Sequence, residues 1–288
     1  MPLLAASRPS RDGVLSCPVC GGAGELEQIA RDGDLYRCAD CDHCFSDPQS
    51  IRHVETYGPE YYDKNWFQHA NEELFVTLGR LIHAFKSDAR VLDIGCGNGA
   101  FLQHLRKTYP KLTLVGSDLS STPPYDGIEF IQGDIFSDDI SRRFDVVVSL
   151  ATIEHVADVG TFVEHVKRLC LPDGLVITMT LNDRSALYSS ARLLARLGFS
   201  GPRDQLYSGH HLNHFNTESL RKLVEIKGLT VKQVLLHNIP LAAVDVEGGS
   251  SFSAFVQRCG VFGLFQLGNL TGRTYLQTVI CTNGTVKS

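Results

Sequence analysis

A glycine-rich turn in the stretch VLDIGCGNGAFL, residues 91–102, carries the clearest chemical signal in this chain. An apolar strand runs into the turn, and Gly95, Gly97 and Gly99 let the backbone approach a ligand closely because they lack a side chain. Asp93 precedes the first glycine, at the carboxyl end of the predicted strand, where its charge suits an amino or ammonium group rather than a phosphate. The turn therefore predicts a nucleotide-like cofactor and points away from dinucleotides.

The glycines by themselves fit two kinds of cofactor. Gly95, Gly97 and Ala100 also satisfy the looser pattern G-x-G-x-x-A, which places a dinucleotide pyrophosphate at a helix N-terminus. Asp118, at the end of the next apolar strand, could accept both ribose hydroxyls of an adenosine, and a nicotinamide dinucleotide would use the same acid. At this point both cofactors stay open, as does a domain that uses these residues only for turns and caps.

Two C-x-x-C pairs near the N-terminus form the second strong pattern. The four residues are Cys17, Cys20, Cys38 and Cys41. The pairs are separated by seventeen residues, which is zinc-ribbon spacing, and four thiolates close a tetrahedral shell with no position left for water. The predicted zinc site is therefore structural. His43 and Cys44 follow directly and could replace a member of the second pair; a redox dithiol and unliganded thiols are the other interpretations.

Several histidines could move a proton. His155 follows an apolar strand, and His211 and His214 stand in the sequence HHLNHF before a predicted helix. Each is a candidate general base toward a hydroxyl or carbon-acid acceptor. Hydrogen bonding within the surrounding segment or to the substrate is the alternative role, and metal binding by His210 together with His211 and His214 is a third.

Strands and helices that position these residues can be read from the apolar pattern. Strands are predicted in KLTLVGSDLS from Lys111, IEFIQGDIF from Ile128, FDVVVSLATIEHV from Phe144 and LPDGLVITMT from Leu171. Helices are predicted over about 71–85, 100–109 and 252–267, and a further helix should open at Asn216 or Thr217. We expect the apolar run 252–267 to be buried under the sheet, with an interface as the alternative.

From about residue 60 to residue 288, the order and spacing of these segments resemble the class I S-adenosylmethionine-dependent methyltransferases. The resemblance implies an α/β fold with a seven-stranded, doubly wound, Rossmann-like sheet whose last strand, in GRTYLQTVICTN from Gly272, is antiparallel. In that family the acid matching Asp134 hydrogen-bonds the adenine amino group, and a tyrosine-containing segment covers the methionine end of the cofactor. The residues so assigned to S-adenosylmethionine are Tyr61, Tyr62, Asp93, Gly95, Cys96, Gly97, Asp118, Leu119, Gly133, Asp134, Ile135 and Leu150.

The domain organisation follows from these assignments. We expect a flexible N-terminus at 1–14, a zinc ribbon at 15–50, and a linker with a helical lead-in at 51–86. The methyltransferase domain then covers 87–288. It carries an insertion at about 182–216, which should close over acceptor and cofactor because insertions after the fifth strand emerge at the carboxyl ends of the sheet.

Composition narrows the partners. A net charge of −5 and a pI near 6.1 make nucleic acid an improbable partner, since polyanion binding depends on basic side chains. Nine cysteines without a disulfide framework, and no apolar window of about 20 residues, predict a cytoplasmic protein without a membrane span. Homodimerisation stays open.

The resemblance also extends to the class of acceptor. The ribbon pattern resembles sugar, polysaccharide and natural-product methyltransferases, and HLNHF before a capped helix resembles ubiquinone-type O-methyltransferases. The resemblance implies O- or C-methylation of a small-molecule acceptor. Two alternatives are a zinc-finger rRNA or tRNA methyltransferase, although acids outnumber arginines between the cysteine pairs, and a non-catalytic scaffold that keeps the cofactor fold.

Overall fold

The computed structural model describes residues 14–51, 69–120, 125–134, 142–207, 211–244 and 251–284, excluding the side chains of 251–254. Strands of the described residues form two sheets, one of five strands and one of seven. The candidate residues Tyr61, Tyr62, Ile135 and His210 lie outside the described residues.

The smaller sheet is antiparallel and contains the cysteine pairs. Its strands are β1 (Leu15–Ser16), β2 (Ala23–Ile29), β3 (Asp34–Cys38), β4 (Cys44–Ser46) and, far along the chain, β10 (Asn213–His214). They lie in the order β1-β2-β3-β4-β10, with Asn213 opposite Phe45 and His214 opposite Cys44. The insertion predicted as a lid therefore completes the sheet of the N-terminal ribbon.

The larger sheet follows the predicted topology. Its strands are β5 (Arg90–Ile94), β6 (Thr113–Asp118), β7 (Ile128–Gln132), β8 (Phe144–Leu150), β9 (Cys170–Leu181), β11 (Thr230–His237) and β12 (Leu276–Thr282). They lie in the order β11-β12-β9-β8-β5-β6-β7. Strands β5 to β9 pair in parallel, whereas β12 is antiparallel to both β9 and β11. This confirms the predicted seven-stranded sheet with an antiparallel last strand.

Seven α-helices lie in the described residues, and side chains cap the start of four of them. The seven helices are α1 (Glu72–Phe85), α2 (Ala100–Thr108), α3 (Val159–Leu169), α4 (Ala186–Arg196), α5 (Gly201–Leu206), α6 (Thr217–Ile226) and α7 (Ser251–Thr271), with short 3-10 turns at Ile153–His155 and Leu241–Ala243. Asn216 and Ser219 form a capping box at the start of α6, which confirms the predicted helix opening. Asn71 caps α1 by accepting a hydrogen bond from the backbone of Leu74.

Helices cover both faces of the large sheet. Side chains alternate along a strand, so Val91 belongs to an apolar cluster with Leu78 and Leu105, whereas Leu92 belongs to one with Val166. Helices α1 and α2 thus lie on one face, and α3, which contacts α6, lies on the other. Burial on both faces explains why the parallel strands are almost continuously apolar.

Helix α7 differs from the expectation. Phe255, Phe262 and Leu267 are 64%, 51% and 49% exposed, and the prediction that the run 252–267 is buried under the sheet was wrong. The helix contacts α4 and the 3-10 turn at Leu241–Ala243, and Phe265 is buried. In the part of the chain that the structure describes, no helix is long and apolar enough to cross a membrane.

Candidate functional site

The glycine turn after β5 lies at the carboxyl edge of the sheet, in close contact with the turn after β8. Gly95 has a φ of +71°, and a Cβ added there would lie 2.3 Å from the Oγ1 of Thr152. The Thr152 hydroxyl in turn donates a hydrogen bond to the carbonyl of Ile94 at 3.1 Å. Any residue other than glycine would therefore push the two turns apart.

Asp93 provides a buried carboxyl group at this edge. Its side chain is 2% exposed, and its Oδ1 has no hydrogen-bond partner among the described residues. Burial, and secondly the neighbouring Asp118, raise the pKa of Asp93 to about 8. A buried carboxylate with an orphaned oxygen is stabilised by a cation, which is the chemistry of a methionine ammonium group.

Asp118 is held by backbone amides at the end of β6. The N–H of Gly97 donates to its Oδ2 and the N–H of Ser120 donates to its Oδ1, both at 2.9 Å. Each carboxylate oxygen can accept a further hydrogen bond, so this orientation fits a ribose diol. The neighbouring Leu119 is 68% exposed.

The other described candidate residues for the cofactor lie at neighbouring strand ends. The N–H of Gly133 donates to the carbonyl of Asp118 at 2.9 Å, which places Asp134 beside the end of β6. Leu150 is the last residue of β8. The Cys96 thiol packs under the glycine turn, where a Cβ on Gly116 would lie 2.8 Å from its sulfur.

A second group of polar side chains, Glu154, His155 and His211, lies on the turn after β8 and on the segment before β10. We call it the Glu–His–His cluster. One ligand-type atom of each residue lies within 4.8 Å of the others, and the two imidazole centroids are 4.9 Å apart. The N–H of Leu212 donates to the carbonyl of Glu154 at 2.8 Å, which ties the two segments together.

Glu154 is the residue of this cluster to which the sequence assigned no role. It is 1% exposed, and its Oε2 accepts a hydrogen bond from the hydroxyl of Thr180 at 2.9 Å. Burial raises the pKa of Glu154 above its ordinary value, against the lowering effects of His155 and of the hydrogen bonds. An acid directly after an apolar strand was the available signal.

His214 is buried beside His211, with 6.2 Å between the two ring centroids. It is 1% exposed, its ring lies 4.6 Å from that of Tyr207, and both ring nitrogens lack a hydrogen-bond partner among the described residues. Burial lowers the pKa of His214 to about 3, so the ring is neutral at pH 7. This environment favours packing over proton transfer for His214.

The four predicted cysteines form one cluster. Their sulfur atoms all lie within 4.8 Å of one another, with separations of 3.4 to 3.6 Å between three of the pairs. A tetrahedral zinc with bonds of about 2.3 Å holds its sulfurs about 3.8 Å apart, so the thiols fit zinc. His43 is outside the cluster and hydrogen-bonds the side chain of Asn213 at 3.1 Å. Cys44 lies in β4, opposite His214.

The ribbon and the catalytic domain share a buried ion-pair network that sequence patterns did not reveal. Asp183 is fully buried and accepts hydrogen bonds from Arg37 at 3.0 Å, from Arg192 at 2.9 Å and from the Tyr207 hydroxyl. Burial acts to raise the pKa of Asp183, but the two guanidinium groups outweigh it and the pKa is lowered. Arg37 and Asp183 are 146 positions apart, so no local motif could signal the pair.

Known proteins were compared with the chain. The profile of a family described as "Methyltransferase domain" matches residues 66–234, more than half of the chain. The ubiquinone biosynthesis O-methyltransferase of Azorhizobium caulinodans is 28% identical over 47% of this chain and 63% of its own. The malonyl-[acyl-carrier protein] O-methyltransferase of Priestia megaterium is 27% identical over 49% of this chain and 57% of its own. Both matches span less than two thirds of the relative.

A solved structure shares the fold. The S-adenosylmethionine-dependent methyltransferase of Archaeoglobus fulgidus superposes with a TM-score of 0.50 at 18% identity, covering 78% of this chain and all of its own. At that identity the likeness shows the fold alone. The profile match over residues 66–234 shows the family: the chain belongs to the class I S-adenosylmethionine-dependent methyltransferases.

Proposed function

We propose that this protein transfers the methyl group of S-adenosylmethionine to a hydroxyl group of a small-molecule acceptor. The observation that supports the proposal is the contact between the glycine turn and the turn after β8, because the turn after β8 also carries Glu154 and His155 of the Glu–His–His cluster. That the two relatives named above are O-methyltransferases supports the choice of oxygen. A sugar, polysaccharide or natural-product intermediate is the acceptor class that we favour.

Residues at the carboxyl edge would hold the cofactor. The Asp93 carboxylate pairs with the methionine ammonium, Asp118 accepts the ribose hydroxyls, and Asp134 accepts from the adenine amino group. Gly95 and Gly97 leave room for the backbone to approach the ligand. Bound S-adenosylmethionine supplies a methyl group already activated by the sulfonium, so the protein needs chiefly to orient the acceptor and exclude water. The assignment also includes Tyr61, Tyr62, Cys96, Leu119, Gly133, Ile135 and Leu150.

The acceptor hydroxyl would lie against the Glu–His–His cluster. His155 and His211 are partly exposed there, and an imidazole nitrogen of either would take the hydroxyl proton. The oxygen–methyl bond would form as the methyl–sulfur bond breaks, and S-adenosylhomocysteine would be the leaving group. His214, a third candidate, would support the cluster from its buried position. The four-cysteine cluster would bind zinc in a structural role, and its thiols are remote in sequence from this chemistry.

Two measurements test the function. Calorimetric titration with S-adenosylhomocysteine should show one site, and S-adenosylmethionine with a labelled methyl should yield an O–CH₃ signal in sugar or natural-product hydroxyl acceptors. A C–CH₃ product would keep methyl transfer but overturn the choice of oxygen. Transfer of the labelled methyl group to RNA would support the nucleic-acid alternative. Absence of S-adenosylhomocysteine binding would support a non-catalytic scaffold.

The histidines are tested separately. We expect His155→Ala and His211→Ala each to lower turnover by about 10²-fold or more, the usual contribution of a positioned acid or base. The matched control is His83→Ala, which removes an exposed histidine of α1 outside the cluster. Unchanged turnover in both cluster variants would contradict the proposed role.

A further inference from the structure

We infer that the outward face of α7 is the interface of a homodimer, in which the α7 helices of two copies of this chain pack against each other in antiparallel orientation. The residues of this face are Phe255, Val256, Cys259, Phe262, Gly263, Gln266, Leu267 and Leu270, all of them exposed. The inference goes beyond the proposed function, because the interface involves neither the cofactor residues nor the acceptor site.

One side of α7 rests on the catalytic domain and the other faces outward. Phe265 and Gly268 are buried, and at about 3.6 residues per turn the outward face lies on the opposite side of the helix. Just after the helix, the carbonyl of Arg273 accepts a hydrogen bond from the N–H of Ala186 at 2.9 Å, and its guanidinium donates to the hydroxyl of Ser189 at 2.8 Å. These bonds fix the end of α7 on the first turn of α4, so the outward face stays outward.

The residues of the outward face are uncharged. All are apolar or small apart from the amide Gln266, and Arg258, the charged residue of α7, lies beside the face rather than within it. A two-fold axis brings each patch onto a copy of itself, so an uncharged patch is self-complementary where a charged one would be repelled. Interface cores are likewise depleted of charge and enriched in phenylalanine.

Side-chain size and charge favour antiparallel pairing. With the two-fold axis between Phe262 and Gly263, the phenylalanine of one copy meets the glycine of the other, and the two helices interdigitate. Phe255 then meets Leu270. The two Arg258 side chains are offset by about 13 Å along the helix axis, more than the Debye length of about 8 Å at physiological salt. Parallel pairing would bring these two cations side by side.

The exposed apolar surface is large enough for a stable dimer. Leu270 is 86% exposed, and the other four large apolar residues of the outward face are 49% to 64% exposed. At roughly 150 to 200 Å² for a fully exposed side chain, the five present about 500 Å². Leu193, Leu197 and Phe199, exposed on α4 and directly after it, raise this to about 800 Å² per copy, the size of a standard interface. A monomer rarely leaves so large an apolar patch uncovered.

A lipid bilayer is the other partner that an apolar helix could meet. A helix that lies in a membrane interface has a strongly charged face, rich in lysine and arginine, opposite its apolar face. In α7 the opposite face contains Phe265 and Gly268, which are buried against protein, and Arg258 is the cation that the helix sequence contains. The charge of α7 therefore favours a second copy of the chain over lipid.

Sedimentation velocity of the zinc-loaded full chain tests the dimer. The wild type should sediment as a reversible dimer at micromolar concentration. Phe262→Asp places two charges at the centre of the interface and should weaken dimerisation by about 100-fold or more. Gly263→Leu fills the space opposite Phe262 and should weaken it by about 10-fold. The matched control is Ile226→Asp, at an exposed apolar position on α6, which should dimerise as the wild type does.

Cross-linking through Cys259 tests the orientation. This thiol is exposed, whereas Cys44, Cys170 and Cys281 are buried. In the antiparallel pair the two Cys259 residues are offset by about 10 Å along the helix axis, so a bismaleimide that spans this offset should join two chains and an oxidant should not. Cys259→Ser should abolish the cross-link. Rapid disulfide formation between the two Cys259 thiols would overturn the antiparallel arrangement.

Three results would overturn the interface. They are a wild-type chain that stays monomeric at its highest soluble concentration, a Phe262→Asp variant that dimerises as tightly as the wild type, and a monomer that binds vesicles of anionic lipid unless Phe262 is changed to Asp. The proposed function is judged separately. Methyl transfer by a strictly monomeric protein would overturn the interface and leave the methyltransferase proposal standing, whereas a dimer that binds no S-adenosylhomocysteine would do the reverse.

Discussion

Replacing Asp93 by asparagine should affect stability and cofactor binding in opposite directions. Asp93 is buried and its pKa is raised to about 8, from an ordinary value of 3.8. The unfolded chain releases this proton above pH 3.8, while the folded protein without cofactor retains it up to about pH 8. Folding at pH 7 therefore requires proton uptake, which costs about 4 kcal/mol at 1.36 kcal/mol per pH unit.

Asparagine has the same shape and does not ionise, so this cost disappears in the variant. A buried amide without full hydrogen bonding costs about 1–3 kcal/mol, which leaves Asp93→Asn about 1–3 kcal/mol more stable at pH 7. At pH 5 the proton cost is only about 1.6 kcal/mol, so the gain vanishes there. Calorimetric unfolding without cofactor at pH 5 and pH 7 measures the stability difference between the variant and the wild type at each pH. The unfolding temperature should shift by about 2–4 °C per kcal/mol.

Cofactor affinity should fall in the same variant. A hydrogen bond between charged groups is worth about 1.5–3 kcal/mol, so S-adenosylhomocysteine should bind about 10- to 150-fold more weakly. Wild-type affinity should also decrease below about pH 8, where Asp93 becomes protonated, and the variant should lack this dependence. A variant destabilised at pH 7 that binds the cofactor normally would refute the reasoning, because Asp93 would then be a structural acid.

Three further predictions concern the ribbon and the exposed helix. Removing zinc with a chelator should lower the unfolding temperature and increase hydrogen exchange at β10, because β10 pairs with β4 of the ribbon. Unchanged hydrogen exchange at β10 would contradict this dependence of β10 on the ribbon. Arg37→Ala should destabilise by about 3 kcal/mol in urea unfolding, since Asp183 loses one buried partner, and a loss below 1 kcal/mol would contradict this. Phe262→Asp on α7 should change the stability of the dissociated subunit by less than about 0.5 kcal/mol, whereas a larger loss would mean that another part of the chain covers the helix.

The cofactor half of the site could be predicted from local sequence. Asp93, Gly95 and Asp118 stand at the ends of apolar strands, and parallel strands end at the same edge of a sheet. The hydrogen bond from the Gly97 N–H to the Asp118 carboxylate, 2.9 Å long, joins two neighbouring strand ends at this edge, as expected for parallel strands. The seven-stranded, doubly wound sheet with an antiparallel last strand was implied by the resemblance to the methyltransferase family.

The acceptor half could not be predicted in this way. His155 is followed by four further elements, α3, β9, α4 and α5, before His211 is reached, and no spacing rule joins the two histidines. Their approach depends on β10, which pairs with a ribbon strand about 170 positions earlier in the chain. The exposure of α7 was also missed, because an apolar pattern identifies a helix without identifying what covers it.

By itself, the sequence determined the glycine turn and the cysteine pairs, because these depend on short-range patterns. Its resemblance to the class I methyltransferases implied the family and the doubly wound sheet. Only the tertiary structure decided that Glu154 joins His155 and His211, that His214 is buried, and that Arg37 of the ribbon pairs with Asp183. The physical reason is that these contacts are made between strand ends and loops. Their position is set by the packing of distant segments and leaves no periodic signal.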